Sequence, residues 1–363
     1  MKKYITQDRL KKNNISDILI FIMEKGITTR REIQAETGFS WGTVSSNVTL
    51  LLEKGYLIEE KSPKTGGAGR LTYCLRTNGE QIVSVGLDVN RSGITATVVG
   101  MDLSVKASFS EPFGASTQQQ VLDQAQEACK RMIDFCGEKY RVLSIGIAFQ
   151  GAVNGREGLS LRFPQIRDWK PYNVKEHFAK CFGLPVYLGH DPKCMLLAEL
   201  NRQKYSDCVL VRVDEGIGMA VAQDGRILDD TEKFELGHTV AVKNGIGCVC
   251  GKNGCLEAYA SLRGIRRRLD IPMGELLAHS ERYTDFLREA GEYLTLALYN
   301  VCMLFRPQKL ILTGRAMQLP AFANTTLQGL DVEDVSVEIN PAVSAAFGAA
   351  AESMKSAIKS FDI

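Results

Sequence analysis

The stretch ELGHTVAVKNGIGCVCGKNGCLEAYAS, Glu235–Ser261, gathers one histidine, three cysteines, two glutamates and five glycines. It suits a metal site, a catalytic site, or a structural clip beside something else. The chain holds ten cysteines, and seven of them are scattered singly, several in apolar surroundings such as DCVLV and YNVCMLF. There a free cysteine serves as a small hydrophobe. No signal-peptide pattern precedes the first helical pattern, and no run of ~18 apolar residues is present. These features read as a reduced, cytoplasmic protein with no membrane partner. In that setting Cys248, Cys250 and Cys255 are better read as metal ligands than as disulfides.

At roughly 100–200 residues per domain, 363 residues suggest two or three domains. Hydrophobic content of 45% and charged content of 24% are ordinary for a chain that buries a full core. A net charge of +2 names no partner, but its distribution is uneven. Residues 1–80 hold 13 Lys and Arg against 9 Asp and Glu, a basic surplus that the remainder lacks. A basic N-terminal segment on a near-neutral body fits a nucleic-acid footprint.

Within those residues, NNISDILIFIMEKG places Ile15, Ile18, Leu19 and Ile22 on one helical face. Ser16 is the expected cap and Gly26 the end. TTRREIQAETG reads as a second short helix closed by Gly38. SWGTVSSNVTLLLEKG reads as a third, with Ser40 as N-cap and Val44, Val48 and Leu51 facing inward. Two short helices joined at Gly38 make a helix-turn-helix. The third helix turns Trp41, Thr43, Ser45, Ser46 and Thr49 outward. Such small polar groups without acid suit base edges and phosphates in a major groove. Arg30 and Arg31 can reach the DNA backbone. GYLIEEKSPKTGGAGRLTYCLRT reads as two strands around a wing loop with Gly66, Gly67, Gly69 and Arg70 near its tip. An arginine on such a loop can enter a minor groove. The bland alternative is a three-helix protein-interaction module.

Beyond residue 78 strands alternate with helices: QIVSVGLDVN, RVLSIGIAF, LPVYLGH, a DCVLVRVDEGIGMAVAQ hairpin with a Gly-Ile-Gly turn, and KLILTG, closed by the helix VSAAFGAAAESMKSAIKS. That is an α/β body. Polar or glycine breaks just after strands are where such folds build ligand sites.

The quoted stretch fits the pattern E-x-G-H followed by C-x-C-G-x-x-G-C-x-E, and by it the chain resembles the ROK group of repressors, open reading frames and sugar kinases. The N-terminal segment is similar to the repressor branch, as in xylose and N-acetylglucosamine repressors. The resemblance implies a winged helix-turn-helix at 1–78 and a two-lobed actin/hexokinase-like (ribonuclease H-like) body. Its lobes would be 79–190 with 342–363, and 191–341, with sugar bound between them. His238, Cys248, Cys250 and Cys255 then supply one nitrogen and three sulfurs, a closed tetrahedral shell for structural Zn2+. Gly247, Gly251 and Gly254 permit the bends.

The resemblance also implies sugar ligands. Asp191, in GHDPK, stands where the family's kinases carry a base toward a sugar hydroxyl, although His190 replaces the usual Asn. Glu235 and Glu257 match the two sugar-binding glutamates. His238 matches a residue that ligates zinc through one ring nitrogen and sugar through the other. The phosphate loops depart from the family. Asp88-Val89-Asn90-Arg91-Ser92 replaces Asp-x-Gly-Gly-Thr, Asp214-Glu215 replaces a neutral pair, and Gly314 stands alone in LTGRAM. Like charges in contact cost ~4 kcal/mol even when screened, so these loops argue against ATP. The expectation is a non-enzymatic repressor: a dimer or tetramer that binds operator DNA and senses a small carbohydrate. An active sugar kinase with a DNA-binding head, and a body that has lost sugar and serves dimerisation, stay open.

Overall fold

The N-terminal apolar spacing forms α1 (Gln7–Lys25), with Ile15, Ile18, Leu19 and Ile22 as its buried face. This computed structural model describes residues 7–61, 73–112, 114–164, 166–203, 205–228 and 234–360. Ser16 does not cap the helix but lies inside it. Its hydroxyl donates instead to the carbonyl of Ile358 at 2.9 Å. After β1 (Ile27–Thr28) comes α2 (Arg30–Thr37), started by a reciprocal capping box of Thr29 and Glu32. Gly38 ends it in a left-handed turn, φ 69°. Ser40 caps α3 (Trp41–Glu53), accepting from the Thr43 amide at 3.1 Å. Strands β2 (Leu57–Lys61) and β3 (Tyr73–Thr77) pair antiparallel, and β1 joins them in the order β1-β3-β2. Two helices at a tight turn, followed by a hairpin, make a winged helix-turn-helix. Gly66, Gly67, Gly69 and Arg70 lie outside the described residues.

The chain divides into two units, residues 1–189 with 346–363 and residues 190–345. In the first, β4 (Ile82–Asn90), β5 (Gly93–Gly100) and β6 (Val105–Pro112) form an antiparallel meander. Helix α4 (Gln118–Cys136) leads to β7 (Arg141–Phe149), which runs parallel to β4. A small sheet of β8 (Ala152–Asn154), β9 (Leu159–Arg162) and β10 (Tyr172–Asn173) follows, then α5 (Val174–Phe182) and β11 (Val186–His190). The main sheet has the order β11-β7-β4-β5-β6. Every residue of β4 is buried, as a central strand covered on both faces requires.

The second unit opens with α6 (Asp191–Arg202) and repeats the plan. Strands β12 (Cys208–Val213), β13 (Ile217–Gln223) and β14 (Arg226–Ile227) form the meander. Helices α7 (Leu256–Ala260), α8 (Leu262–Leu269), α9 (Met273–Ala278) and α10 (Thr284–Phe305) lead to β15 (Lys309–Thr313). Helix α11 (Pro320–Gly329) and β16 (Ser336–Ile339) complete it, in the order β14-β13-β12-β15-β16. In both sheets the first strand is central, with the meander on one side and a strand parallel to it on the other. That repeated order is the ribonuclease H-like, actin/hexokinase-type architecture. The β12–β13 turn is Asp214-Glu215-Gly216, with Val213 opposite Ile217, so the expected Gly-Ile-Gly turn falls partly inside β13.

The chain returns to the first unit as α12 (Ala345–Ser360). A Cβ added at Gly86 or Gly146 would lie 2.0 Å from the carbonyl oxygen of Ala346 or Ala349. Only glycine lets this helix sit so close on β4 and β7. Ser84, Ser144 and Ser353 link hydroxyls beneath it at 2.7 and 2.9 Å. One turn further, Met354 and Ile358 share a core with Ile15, Ile18, Leu19, Leu51 and Leu75 of the winged helix. Lys355 pairs with Glu24 at 2.6 Å. Among the described residues, no helix is long and apolar enough to cross a membrane.

Candidate functional site

His238 ends a single 3-10 turn, Leu236–His238, and the following loop doubles back so that Val240 bridges Cys255 and Gly247 bridges Asn253. The Cys248 amide donates to the Lys252 carbonyl at 2.8 Å, and the Gly251 amide to that of Cys248 at 3.0 Å. This knuckle presents Cys248 and Cys250 together. Gly251 and Gly254 are left-handed, φ 88° and 78°, and a Cβ at Gly254 would lie 1.8 Å from the Val242 carbonyl oxygen. The ligand atoms of His238, Cys248, Cys250 and Cys255 all lie within 4.8 Å of one another. Cys248 Sγ is 3.7 Å from His238 Nδ1, and Cys250 Sγ is 3.6 Å from Cys255 Sγ. Metal bonds of ~2.3 Å to sulfur and ~2.0 Å to nitrogen make tetrahedral edges of about 3.5–3.8 Å. The four atoms therefore could hold one metal ion. Burial, with the neighbouring thiols, pushes the Cys255 thiol up to about 12. A bound cation would reverse that, since metal binding draws the proton off each cysteine ligand.

The other expected residues stand around the same loop. His238 turns Nε2, the nitrogen away from Cys248, toward Glu235 at 4.0 Å. The Glu235 side chain is 59% exposed. Glu257 opens α7 and is buried; its Oε1 accepts from Arg263 Nη2 at 2.5 Å and its Oε2 from the Ile217 amide at 3.2 Å. Asp191, the first residue of α6, is buried beside His190, whose Nε2 lies 3.2 Å from Asp191 Oδ1. His190 Nδ1 is buried with no hydrogen-bond partner among the described residues. The start of β13 separates the two groups: a Cβ on Gly218 would lie 3.7 Å from the His190 ring, and one on Gly216 2.7 Å from Glu257 Oε2.

Sequence reading missed the arginines. Arg212, on β12, ion-pairs with Asp191 and reaches Asp214 at 3.7 Å. Arg315 donates to Asp214 Oδ1 through Nε and Nη2 at 3.0 and 2.6 Å. Burial pushes the Asp214 carboxyl upward, but Arg212 and Arg315 outweigh it and hold the group below its ordinary value. One signal was available: in VLVRV, Arg212 sits in an otherwise apolar strand, and an arginine there must find an acid.

The sequence pattern of the ROK family matches residues 84–350. The chain belongs to the ROK family. It is similar to the N-acetylglucosamine repressor of Escherichia coli O157:H7, 24% identical over 85% of this chain and 81% of that one. The xylose repressor of Bacillus subtilis is 24% identical over 86% and 84%. In structure, the chain resembles a crystallised ROK family transcriptional regulator, a homolog of the E. coli MLC protein, with a TM-score of 0.82 over 96% of this chain and 97% of that one at 22% identity. That last likeness is one of fold.

Within this ROK chain, the amides of the β4–β5 turn and the β12–β13 turn are met by side chains. The Ser92 amide donates to Asn90 Oδ1, and the Arg91 amide to Gln150 Oε1, both at 2.8 Å. The Glu215 amide donates to Asp214 Oδ1 at 2.9 Å. A phosphate cradle needs such amides unclaimed. On the winged helix, Trp41 is 48% exposed, Ser46 and Thr49 are exposed, and Thr43 and Ser45 are half-buried. The Ser40 hydroxyl is engaged with Thr43. Arg30 pairs with Glu59 of β2, while Arg31 is exposed.

Proposed function

We propose that this ROK protein is a cytoplasmic DNA-binding regulator, a repressor of carbohydrate-utilisation genes whose operator binding answers to a small sugar or sugar derivative. The observation that carries this reading is the exposed face of α3, free of acid from Trp41 to Thr49, on a winged helix joined to a ROK body. The repressors named above, matched over most of their length, support it. In this reading Ser40, Trp41, Thr43, Ser45 and Ser46 read the groove, and Arg30, Arg31 and Arg70 hold phosphate. Homodimers or tetramers would match two-fold operator half-sites. Zn2+ at His238, Cys248, Cys250 and Cys255 is structural, since no ligand position is left open.

The effector site consists of His190, Asp191, Glu235, His238 and Glu257. Its support is the buried, unpartnered Nδ1 of His190 and the exposed carboxylate of Glu235 beside His238. Effector binding shifts the population toward a state whose half-site spacing no longer fits the operator. Loop amides met by side-chain oxygens, and Asp191 held by Arg212, support a regulator rather than a kinase.

The test is selection of duplexes from a random pool by the full chain, then anisotropy titrations with a sugar panel. The expected result is salt-dependent, sequence-specific binding that one sugar class weakens. A chain that selects no duplex would sink the regulator, and binding that no sugar shifts would sink the sensor. Sugar-dependent ATP turnover that Asp191→Asn abolishes would replace this reading with the kinase.

A further inference from the structure

Tyr259 follows Glu257 on the same short helix, α7, and is buried. Its hydroxyl oxygen accepts from the Ile246 amide at 2.8 Å. The Ile246 carbonyl in turn accepts from the Gly254 amide at 2.9 Å. Ile246 is therefore pinned on both sides, two residues before Cys248 and against the residue that precedes Cys255. The fit is close: a Cβ added at Gly245 would lie 2.1 Å from the Tyr259 hydroxyl oxygen, so only glycine lets the loop rest there. The ring is itself fixed by neighbouring elements. Tyr293 of α10 packs against it with ring centroids 4.7 Å apart. The Arg268 guanidinium of α8 lies 5.2 Å from its centroid and is tied to Glu289 of α10 at 2.8 Å. The hydroxyl thus meets the loop from a packed base, while the loop is held by isolated bridges.

We propose that Tyr259 is a positioning residue for the metal loop: its hydroxyl holds the Ile246 peptide, and with it the arm bearing Cys248 and Cys250, within reach of Cys255 and His238. Tyr259 makes no metal bond. It acts by placing the ligands before the ion arrives, so that less ordering entropy opposes binding. This inference rests on the zinc reading of the four ligands. Tyr259→Phe isolates the effect. It keeps the ring, its contacts with Tyr293 and Arg268, and all four ligands, and removes the one oxygen that the Ile246 amide uses. A partly buried N–H that loses its acceptor weakens the arrangement that required it.

The experiment is competition for zinc between the full chain and a chromophoric chelator, with unfolding midpoints measured for the metal-free and the zinc-loaded protein. Tyr259→Phe should bind zinc about tenfold or more weaker, the range in which supporting residues act, and should release it faster. Its unfolding midpoint should fall below that of wild type when zinc is bound and match it when zinc is absent, because the variant loses metal affinity and not packing. Tyr293→Phe, which takes a hydroxyl from the neighbouring ring, should leave zinc affinity unchanged. Zinc affinity in Tyr259→Phe equal to that of wild type overturns the inference. So does an equal fall in midpoint with and without zinc, which marks a purely structural tyrosine, or an equal loss of zinc affinity in Tyr293→Phe. The two readings fail separately. A wild-type chain that takes up no zinc sinks the metal site and this inference with it, whereas zinc held alike by wild type and Tyr259→Phe sinks this inference alone.

Discussion

Arg212 joins two buried carboxylates, Asp191 and Asp214, and Arg315 extends the chain of charges outward. Removing one partner of a buried pair strands the other, at a cost of about 3–5 kcal/mol. Arg212→Ala should destabilise the second unit by that order, and Arg212→Lys by less, as urea unfolding would register. The folded carboxyl of Asp214 lies below its ordinary value. The stability it adds is therefore full above the unfolded carboxylate value, near ~4, and is lost as pH falls through the lower folded value. The stability difference between wild type and Asp214→Asn should stay level from pH 8 to 5 and shrink below pH 4. The four residues that could hold a metal were legible because a shell demands particular residue types at particular spacings. The arginines were not: most arginines lie at surfaces, and only the fold brings Arg212 from β12 to the start of α6.

At the level of elements, the metal-ligand loop is held by two isolated bridges and a glycine knuckle rather than by regular structure. Its order should depend on the proposed zinc. Cys250→Ser should lower bound zinc from one ion per chain to none by mass spectrometry, with amide exchange across 238–255 speeding up. Helix α3 makes a different prediction. Thr49→Glu, on an exposed position, should leave the unfolding midpoint within a degree or two. It should also weaken the proposed DNA binding by about tenfold or more, since it sets a carboxylate against phosphates. Local elements were read well where their signals are local: the Gly38 turn, the Ser40 cap, the apolar faces. Ser16 was misread for a physical reason. A serine ahead of an apolar run looks like a cap, but α1 starts nine residues earlier and the hydroxyl is answered by a carbonyl 342 residues away. No spacing rule reports such a contact.

For the molecule as a whole, alternating strands and helices announced an α/β body, while the order of the sheets did not follow from them. Strand β15 pairs with β12 across all of α7 to α10, and β7 with β4 across α4. Non-local parallel pairing of this kind leaves no period in the sequence. The repeated sheet order became visible only in space, although the family motifs implied it. Helix α12 carries the longest-range dependence, because Met354 and Ile358 belong to the winged-helix core. Ile358→Ala should cost about 2–5 kcal/mol. The loss should appear in amide exchange of α1 and α3, not only in α12.

That shared core also bears on how the protein is made. The helices and strands of the winged helix are all encoded before residue 78, yet Met354 and Ile358 leave the ribosome only after the whole second unit has been synthesised. A nascent or truncated chain therefore carries a winged helix with an open side. The surface proposed to meet DNA is finished only on molecules that already possess the unit proposed to sense the effector.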